Sequence, residues 1–314
     1  MNTTTADLPK RSSLQARIVR AITSVYFSLL DARTANIDSA RFRLNALGKL
    51  VPTAPGVRVR PVTIAGLDAE WLSPGGAPAD RMILYLHGGA YVLGGCDSHR
   101  HLVSHIARES GLTALVPEYA LAPENPFPAA IEDVVELYRA LLEQGFEPRH
   151  IVVAGDSAGG GLCVASLLAL RDAGLPMPAG AFLLSPWLDL SAAGETMESR
   201  RDRDPWFDAA DIAVVAGHYC REDQLRNPLV SPVYADVRGL PPTYIQVGDD
   251  EILLSDATRL ADKLRDAGVP VDVDVYEEMW HVFQAFLLVM PEARDAVGML
   301  ARNIRRRVTR GDDP

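Results

Sequence analysis

Cysteine is scarce in this chain. Cys96, Cys163 and Cys220 are its only three in 314 residues, odd in number and widely spaced, so they make neither a disulfide framework nor a metal-ligand pattern. That usage fits a reducing compartment, and a cytoplasmic protein without a metal site is expected. Long hydrophobic runs are also missing. The most apolar N-terminal run, AITSVYFSLL, has ten residues and follows Arg17 and Arg20. It is too short to span a bilayer and lacks the ordered regions of a signal peptide. Basic residues form no block before RNIRRR near the C-terminus, and the formal net charge is −10. Nucleic-acid binding, which needs a basic footprint, is therefore excluded from the expectations, and that run reads as the solvated last turn of a helix. No internal repeat or low-complexity tract is present.

What remains is an ordinary globular composition, 48% hydrophobic and 23% charged, and a fold of this length can bury about 75% of its unfolded surface. Leu14, Ile18, Ile22, Val25, Tyr26 and Leu29 recur at helical spacing, and FRLNALGKL suggests a second short helix. These two amphipathic helices must pack on something. From Val57 the texture changes: VRVRPVTIAG and LDAEWLSP alternate as two antiparallel strands, and RMILYLH is a buried one. Strand patterns (LTALVPEY, HIVVAGDS, AFLLSPW, PTYIQVGD, VPVDVDVYEEM) then take turns with helical runs. The alternation predicts an α/β fold, a mostly parallel eight-stranded sheet flanked by helices on both faces. Residues at about 195–222 interrupt it, polar at first and then helical.

Within IVVAGDSAGGGLCVASLLAL, a strand pattern ends at Gly155 and a helix pattern starts near Ala158. Gly155-Asp156-Ser157-Ala158-Gly159 is thus a G-x-S-x-G in a strand–turn–helix setting. The turn must be sharp to lift the Ser157 hydroxyl clear of the sheet, and small flanking residues let helix and strand come close. A phosphate loop is the rival reading, but neither a Gly-Lys-Ser/Thr ending nor a G-x-G-x-x-G is present. Serine needs a base to take its proton. Of seven histidines, His281 alone follows the last strand, and the chain order nucleophile, acid, base selects it. The acid should end the preceding strand, where Asp249, Asp250 and Asp256 are candidates. Residue chemistry does not choose between Asp249 and Asp250.

These segments resemble the hormone-sensitive-lipase family of α/β-hydrolases, the bacterial class IV esterases. His87-Gly88-Gly89-Ala90 resembles the family's H-G-G-G or H-G-G-A loop, and EYALAPENPFPAA its Y-x-L-A-P-E-x-P-F-P-A-A segment. GDSAGG matches the nucleophile elbow. GDDEILLSD resembles a G-x-D-x-L-x-D stretch, which implies Asp250 as the catalytic acid. EMWHVF stands for G-M-x-H-x-F, with Glu278 replacing glycine. The likeness covers roughly residues 57 to 310, whereas the N-terminal helices match only in type.

The glycine pair in YLHGGAYVLGG then reads as an oxyanion loop, because an acyl-transfer site needs N–H groups aimed at the developing charge. Gly88, Gly89 and Ala158 are the expected donors, with His87 fixing the loop. Asp156 could brace the elbow, and Glu118 and Glu124 the PEYALAPE segment; Trp187, Trp206 and Trp280 line a cavity or fill the core. The expected organisation is a pair of N-terminal cap helices over 1–50 and a catalytic domain over 51–314 whose insertion completes the cap. The expected function is serine carboxylesterase acting on small ester molecules through Ser157, Asp250 and His281, without metal or organic cofactor, as a monomer or homodimer. Lactone hydrolysis or deacetylation would use the same residues. A receptor on this fold, as in the plant gibberellin receptors, would have lost His281.

Overall fold

The computed structural model describes residues 12–28 and 36–309. Two helices, α1 (Leu14–Ser28) and α2 (Ile37–Leu50), precede β1 (Val57–Ile64), β2 (Leu67–Pro74) and β3 (Met82–Leu86). Then follow α3 (Cys96–Ser110), β4 (Thr113–Pro117), α4 (Ala129–Glu143), β5 (Ile151–Asp156), α5 (Ala158–Asp172) and β6 (Gly180–Leu184). The interruption carries α6 (Thr196–Ser199) and α7 (Ala209–Tyr219), after which come β7 (Thr243–Gly248), α8 (Leu254–Asp266), β8 (Val271–Tyr276) and α9 (Pro291–Thr309). The eight strands form one sheet in the order β1-β2-β4-β3-β5-β6-β7-β8, antiparallel at β1–β2–β4 and parallel from there on. This is the α/β architecture expected from the alternation of patterns.

The central strands are apolar on both faces because helices cover both. On β3, Met82, Leu84 and Leu86 join the core under α4, α5 and α8, whereas Ile83 and Tyr85 join the core under α3 and α9. That two-sided burial is why these strands read as continuous apolar runs rather than as alternations.

The N-terminal helices depart from expectation. Leu14, Ile18 and Ile22, the stripe expected to pack inward, are 51–69% exposed. Tyr26 and Leu29, the last positions of that stripe, have side chains outside the described residues. Small residues, Ala16 and Thr23, face the body instead. Polar contacts hold the helix: Ser13 N donates to Glu292 Oε1 at 2.5 Å, and Arg20 Nη1 to Asp250 Oδ2 at 2.6 Å. Likewise α2 is held through Arg41, which donates to the carbonyls of Val92 and Ala122, both at 2.7 Å, and pairs with Glu124 at 2.8 Å.

Candidate active site

Ser157 stands at the turn between β5 and α5 with φ 53° and ψ −125°, in the left-handed half of conformational space that non-glycine residues rarely occupy. The turn is compressed. A Cβ on Gly155 would lie 2.6 Å from the carbonyl oxygens of Gly159 and Leu86, and one on Gly159 2.5 Å from the His87 oxygen. Only glycine fits either place, as the spacing of the motif implies. The backbone is fastened by Ser157 N to Leu184 O and by Trp187 N to Ser157 O, each at 2.9 Å.

Backbone strain collects around this turn. Among the described residues, eight non-glycine residues have positive φ, and six of them (Ala90, Tyr91, Ser157, Ser185, Glu278 and Val282) follow the carboxyl ends of β3, β5, β6 and β8. Such strain persists only where the surroundings over-determine it. At Glu278, where the family pattern has glycine, φ is 57°. Asp249 Oδ1 accepts from its N–H at 2.6 Å, and Ser12 N donates to its carboxylate at 3.0 Å.

His281 follows β8 and is 1% exposed. Its Nδ1 meets Glu251 Oε2 at 3.0 Å. The carboxylate beside the imidazole is therefore Glu251, and the expectation of Asp250 is corrected. Glu251 is fully buried, and its other oxygen accepts from Gly248 N at 2.6 Å and Ser185 Oγ at 2.8 Å. Those partners satisfy a charge that would be costly to bury alone. Ser185 also accepts from Val282 N at 3.0 Å, so the ends of β6, β7 and β8 are tied together under the imidazole. Asp250 turns the opposite way, onto Arg20 and Arg203. Asp249 caps Glu278, and Asp256 accepts from the N–H groups of Leu188 and Asp189 at 2.8 Å.

The His87-Gly88-Gly89-Ala90 loop differs by one residue from the expectation for an oxyanion loop. Gly88 N donates to Asp156 Oδ1 at 3.1 Å, so this N–H is already engaged and Gly88 is not a donor to substrate. Among the described residues nothing accepts from the N–H groups of Gly89, Ala90 and Ala158. Ala90 has φ 55°. Asp156 links elbow and loop. It also accepts from Tyr85 Oη at 2.8 Å and pairs with His99 Nε2 at 3.4 Å. Burial opposes charge on both partners, but their mutual attraction wins, raising the His99 pKa and lowering that of Asp156. Burial and the neighbouring His99 push the His87 imidazole down to about 3. A neutral His87 donates through Nδ1 to Gly88 O at 2.8 Å, and Tyr119 Oη donates to the His87 carbonyl at 2.6 Å. It fixes the loop.

Of Trp187, Trp206 and Trp280, the first and last are buried in the core, and Trp206 reaches the site. The rings of Trp206 and Phe207 stand edge-on to His281, with centroids 5.7 and 5.0 Å away. Sequence reasoning missed Phe207 and the anchor of both, Asp204. Its carboxylate accepts from Trp206 N (2.8 Å), Phe207 N (3.3 Å) and Ile252 N (2.9 Å). The other end of the insertion is docked by Tyr219, whose ring stacks on Tyr91 at 3.9 Å and whose carbonyl accepts from Phe127 N at 2.8 Å. A cavity of about 610 Å³, lined by Arg58, Arg60, Trp71 and Phe146 among others, lies at β1 and β2 and includes none of these residues.

Burial raises the Asp204 pKa from 3.8 to about 6, more than the Ile252 and Trp206 N–H groups lower it. Between those values the folded chain holds a proton that the unfolded chain releases, so this group makes stability fall as pH rises from about 4 to 6. A shift of that size corresponds to about 3 kcal/mol. Asp204→Asn keeps an acceptor but cannot ionise. Its stability should therefore gain relative to wild type between pH 4 and pH 6.5, as read from urea midpoints. An unchanged difference between the two proteins at both pH values would refute this role.

Over residues 83–285 the chain matches the family described as alpha/beta hydrolase fold. The chain belongs to the α/β-hydrolase fold family. Within it, the chain is 45% identical over 244 residues to an acetyl-hydrolase of Streptomyces hygroscopicus, covering 78% of this chain and 81% of that one. It is 38% identical over 259 residues to an esterase of Acinetobacter venetianus, covering 82% and 85%. Among solved α/β-hydrolases, an esterase described as from the bacterial hormone-sensitive lipase family superposes with TM-score 0.91 at 38% identity, covering 95% of this chain and 99% of that one. EstE5 soaked with p-nitrophenyl butyrate does so with TM-score 0.90 at 37% identity, covering 95% and 100%. The resemblance read from the motifs is thus one of family. No helix among the described residues is long and apolar enough to cross a membrane.

Proposed function

We propose that this α/β-hydrolase is a serine carboxylesterase working through Ser157, His281 and Glu251. The observation that carries the proposal is the buried Glu251–His281 pair at 3.0 Å, at the edge where Ser157 is lifted from β5. Ser157 Oγ attacks the ester carbonyl as its proton passes to His281 Nε2. The carbonyl electron pair moves onto oxygen, where the N–H groups of Gly89, Ala90 and Ala158 receive it. Collapse of that intermediate expels the alcohol, which takes the proton from Nε2. Water then gives its proton to Nε2 and attacks the acyl-serine, and the carboxylic acid leaves as Ser157 recovers its proton. Glu251 holds Nδ1–H in place and stabilises the imidazolium.

Residues 1–50 and the insertion at about 195–222 form the cap in this reading, over a catalytic domain of 51–314. Three buried, free cysteines suit a reducing cytoplasm, and a homodimer is the assembly to test by sedimentation. The acetyl-hydrolase name of one relative and the p-nitrophenyl butyrate soaked into EstE5 favour small acyl groups. Ser157 is 9% exposed and Trp206 and Phe207 close over His281, so the acyl chain must fit an enclosed space. Each added CH₂ contributes about 0.8 kcal/mol while there is room, and overpacking then costs ~1–3 kcal/mol. With p-nitrophenyl esters from acetate to palmitate, kcat/KM should therefore peak at about four to eight carbons and collapse at palmitate. Highest activity on palmitate would refute an enclosed acyl site, and hydrolysis of lactones in preference to every ester would refute the carboxylesterase assignment.

A further inference from the structure

Asp250 is buried, with a side chain 6% exposed, yet the carboxylate at His281 Nδ1 is that of Glu251. Its Oδ2 pairs with Arg20 at 2.6 Å and its Oδ1 with Arg203. Those arginines come from the two separate pieces that overlie the site, α1 and the insertion. The same turn is gripped further by Arg200, whose Nε donates to Asp249 O at 2.7 Å, and Arg20 Nη1 also donates to Glu278 O, in the segment after β8, at 3.3 Å. Arg20 additionally donates to the Arg203 carbonyl, so the two pieces are joined to each other as well. Asp204 accepts from Ile252 N immediately beyond Glu251. Three consecutive carboxylates, Asp249, Asp250 and Glu251, would repel one another without this cationic cluster. Glu251 is one peptide from Asp250, and a small displacement of a supporting group costs a catalytic site heavily.

We propose that Asp250 is a positioning residue, a latch through which seating of α1 and the insertion aligns Glu251 against His281. The proposal rests on the triad reading above. When Arg20 and Arg203 are in place, the 249–252 turn is clamped from two sides and Glu251 holds the imidazole. When they are not, the turn is released together with its acid. The cap thus controls the rate of chemistry as well as access to the site.

The test is a set of single and double variants assayed with p-nitrophenyl butyrate, enzyme in excess where turnover is low. Asp250→Asn keeps volume; Arg20 retains the Glu278 carbonyl and Arg203 retains Asp249, and the two arginines are 29% and 45% exposed and can hydrate. It should lower kcat by roughly 10- to 100-fold, well short of the loss in Glu251→Gln. Arg20→Gln should lower kcat in the same direction, and the two losses should not multiply when combined. In a Glu251→Gln background, Asp250→Asn should have little further effect on kcat, because its effect passes through Glu251. A merely structural role would lower kcat equally in both backgrounds and would overturn the latch. So would an unchanged kcat in Asp250→Asn, or a loss as large as that of Glu251→Gln. Should Asp250→Asn not fold, Arg20→Gln in the wild-type and Glu251→Gln backgrounds makes the same distinction. Full activity in Ser157→Ala would instead overturn the triad reading, so the two failures are separable.

Discussion

Ser157→Ala and His281→Ala should each lower kcat by about 10⁴-fold or more, and the double variant should lose little beyond either one. Nucleophile and base act as a unit, so removing one leaves the other without work, and the residual rate comes from the oxyanion donors and binding alone. Neither change should unfold the chain. The turn at Ser157 is fastened through its backbone, by Leu184 and Trp187. Loss of the imidazole removes one of three donors to Glu251, with Gly248 and Ser185 remaining. Steady-state kinetics with p-nitrophenyl butyrate read the loss, and unchanged KM with intact thermal melting separates it from misfolding. Covalent labelling by phenylmethylsulfonyl fluoride should need Ser157. Wild-type turnover in either single variant would sink the mechanism.

The features that were legible in the sequence are those written in local pattern. Strand and helix alternation encodes a sheet buried on both faces, and all eight strands lie where their patterns lie. Gly155 and Gly159 encode a close crossing of β5 and α5, and main-chain oxygens lie within 2.6 Å of where their Cβ atoms would be. Features set by contacts across the chain were not legible. Gly88 looks identical to Gly89 in sequence, and only Asp156, 68 residues away, distinguishes them by taking the Gly88 N–H. The stripe on α1 reads as a buried face, but the partners of this segment are Glu278, Glu292 and Asp250, so Ser12 and Ser13 just ahead of the stripe and Arg20 within it carry the docking. Asp204 and Arg203 look like solvated charges in a polar loop until Ile252 and Asp250 are brought to them.

The acid was misread for a reason the sequence does contain. In a pattern with acid, one residue, then leucine, Glu251-Ile252-Leu253 keeps the spacing, whereas Asp250 is followed two residues later by Ile252. Two aspartates immediately before it drew attention from the longer side chain. Their partners separate them: Glu251 has hydrogen-bond donors on both oxygens, His281 among them, and Asp250 faces arginines. Length also matters, since the extra methylene lets the carboxylate reach the imidazole from the turn beyond β7.

Glu251→Gln should therefore lower kcat by roughly 10³- to 10⁴-fold with little change in KM. The direction follows from hydrogen-bond polarity. Gly248 N–H and the Ser185 hydroxyl both donate to Oε1, so the amide oxygen of the glutamine must stay there. Its NH₂ then points at His281 Nδ1, and two donors cannot share that contact. The imidazole responds by carrying its proton on Nε2, the nitrogen that must accept from Ser157, and the base is disabled without a change in shape. Glu251→Asp retains the charge but falls short by one methylene, so its loss should be smaller, on the order of 10²-fold. Asp249→Asn, which touches the Glu278 N–H and not the imidazole, should stay within about tenfold of wild type. Parallel kcat measurements on the three variants, with folding checked by circular dichroism, decide the assignment. A Glu251→Gln enzyme close to wild type would remove Glu251 from the triad, whatever its distance from His281.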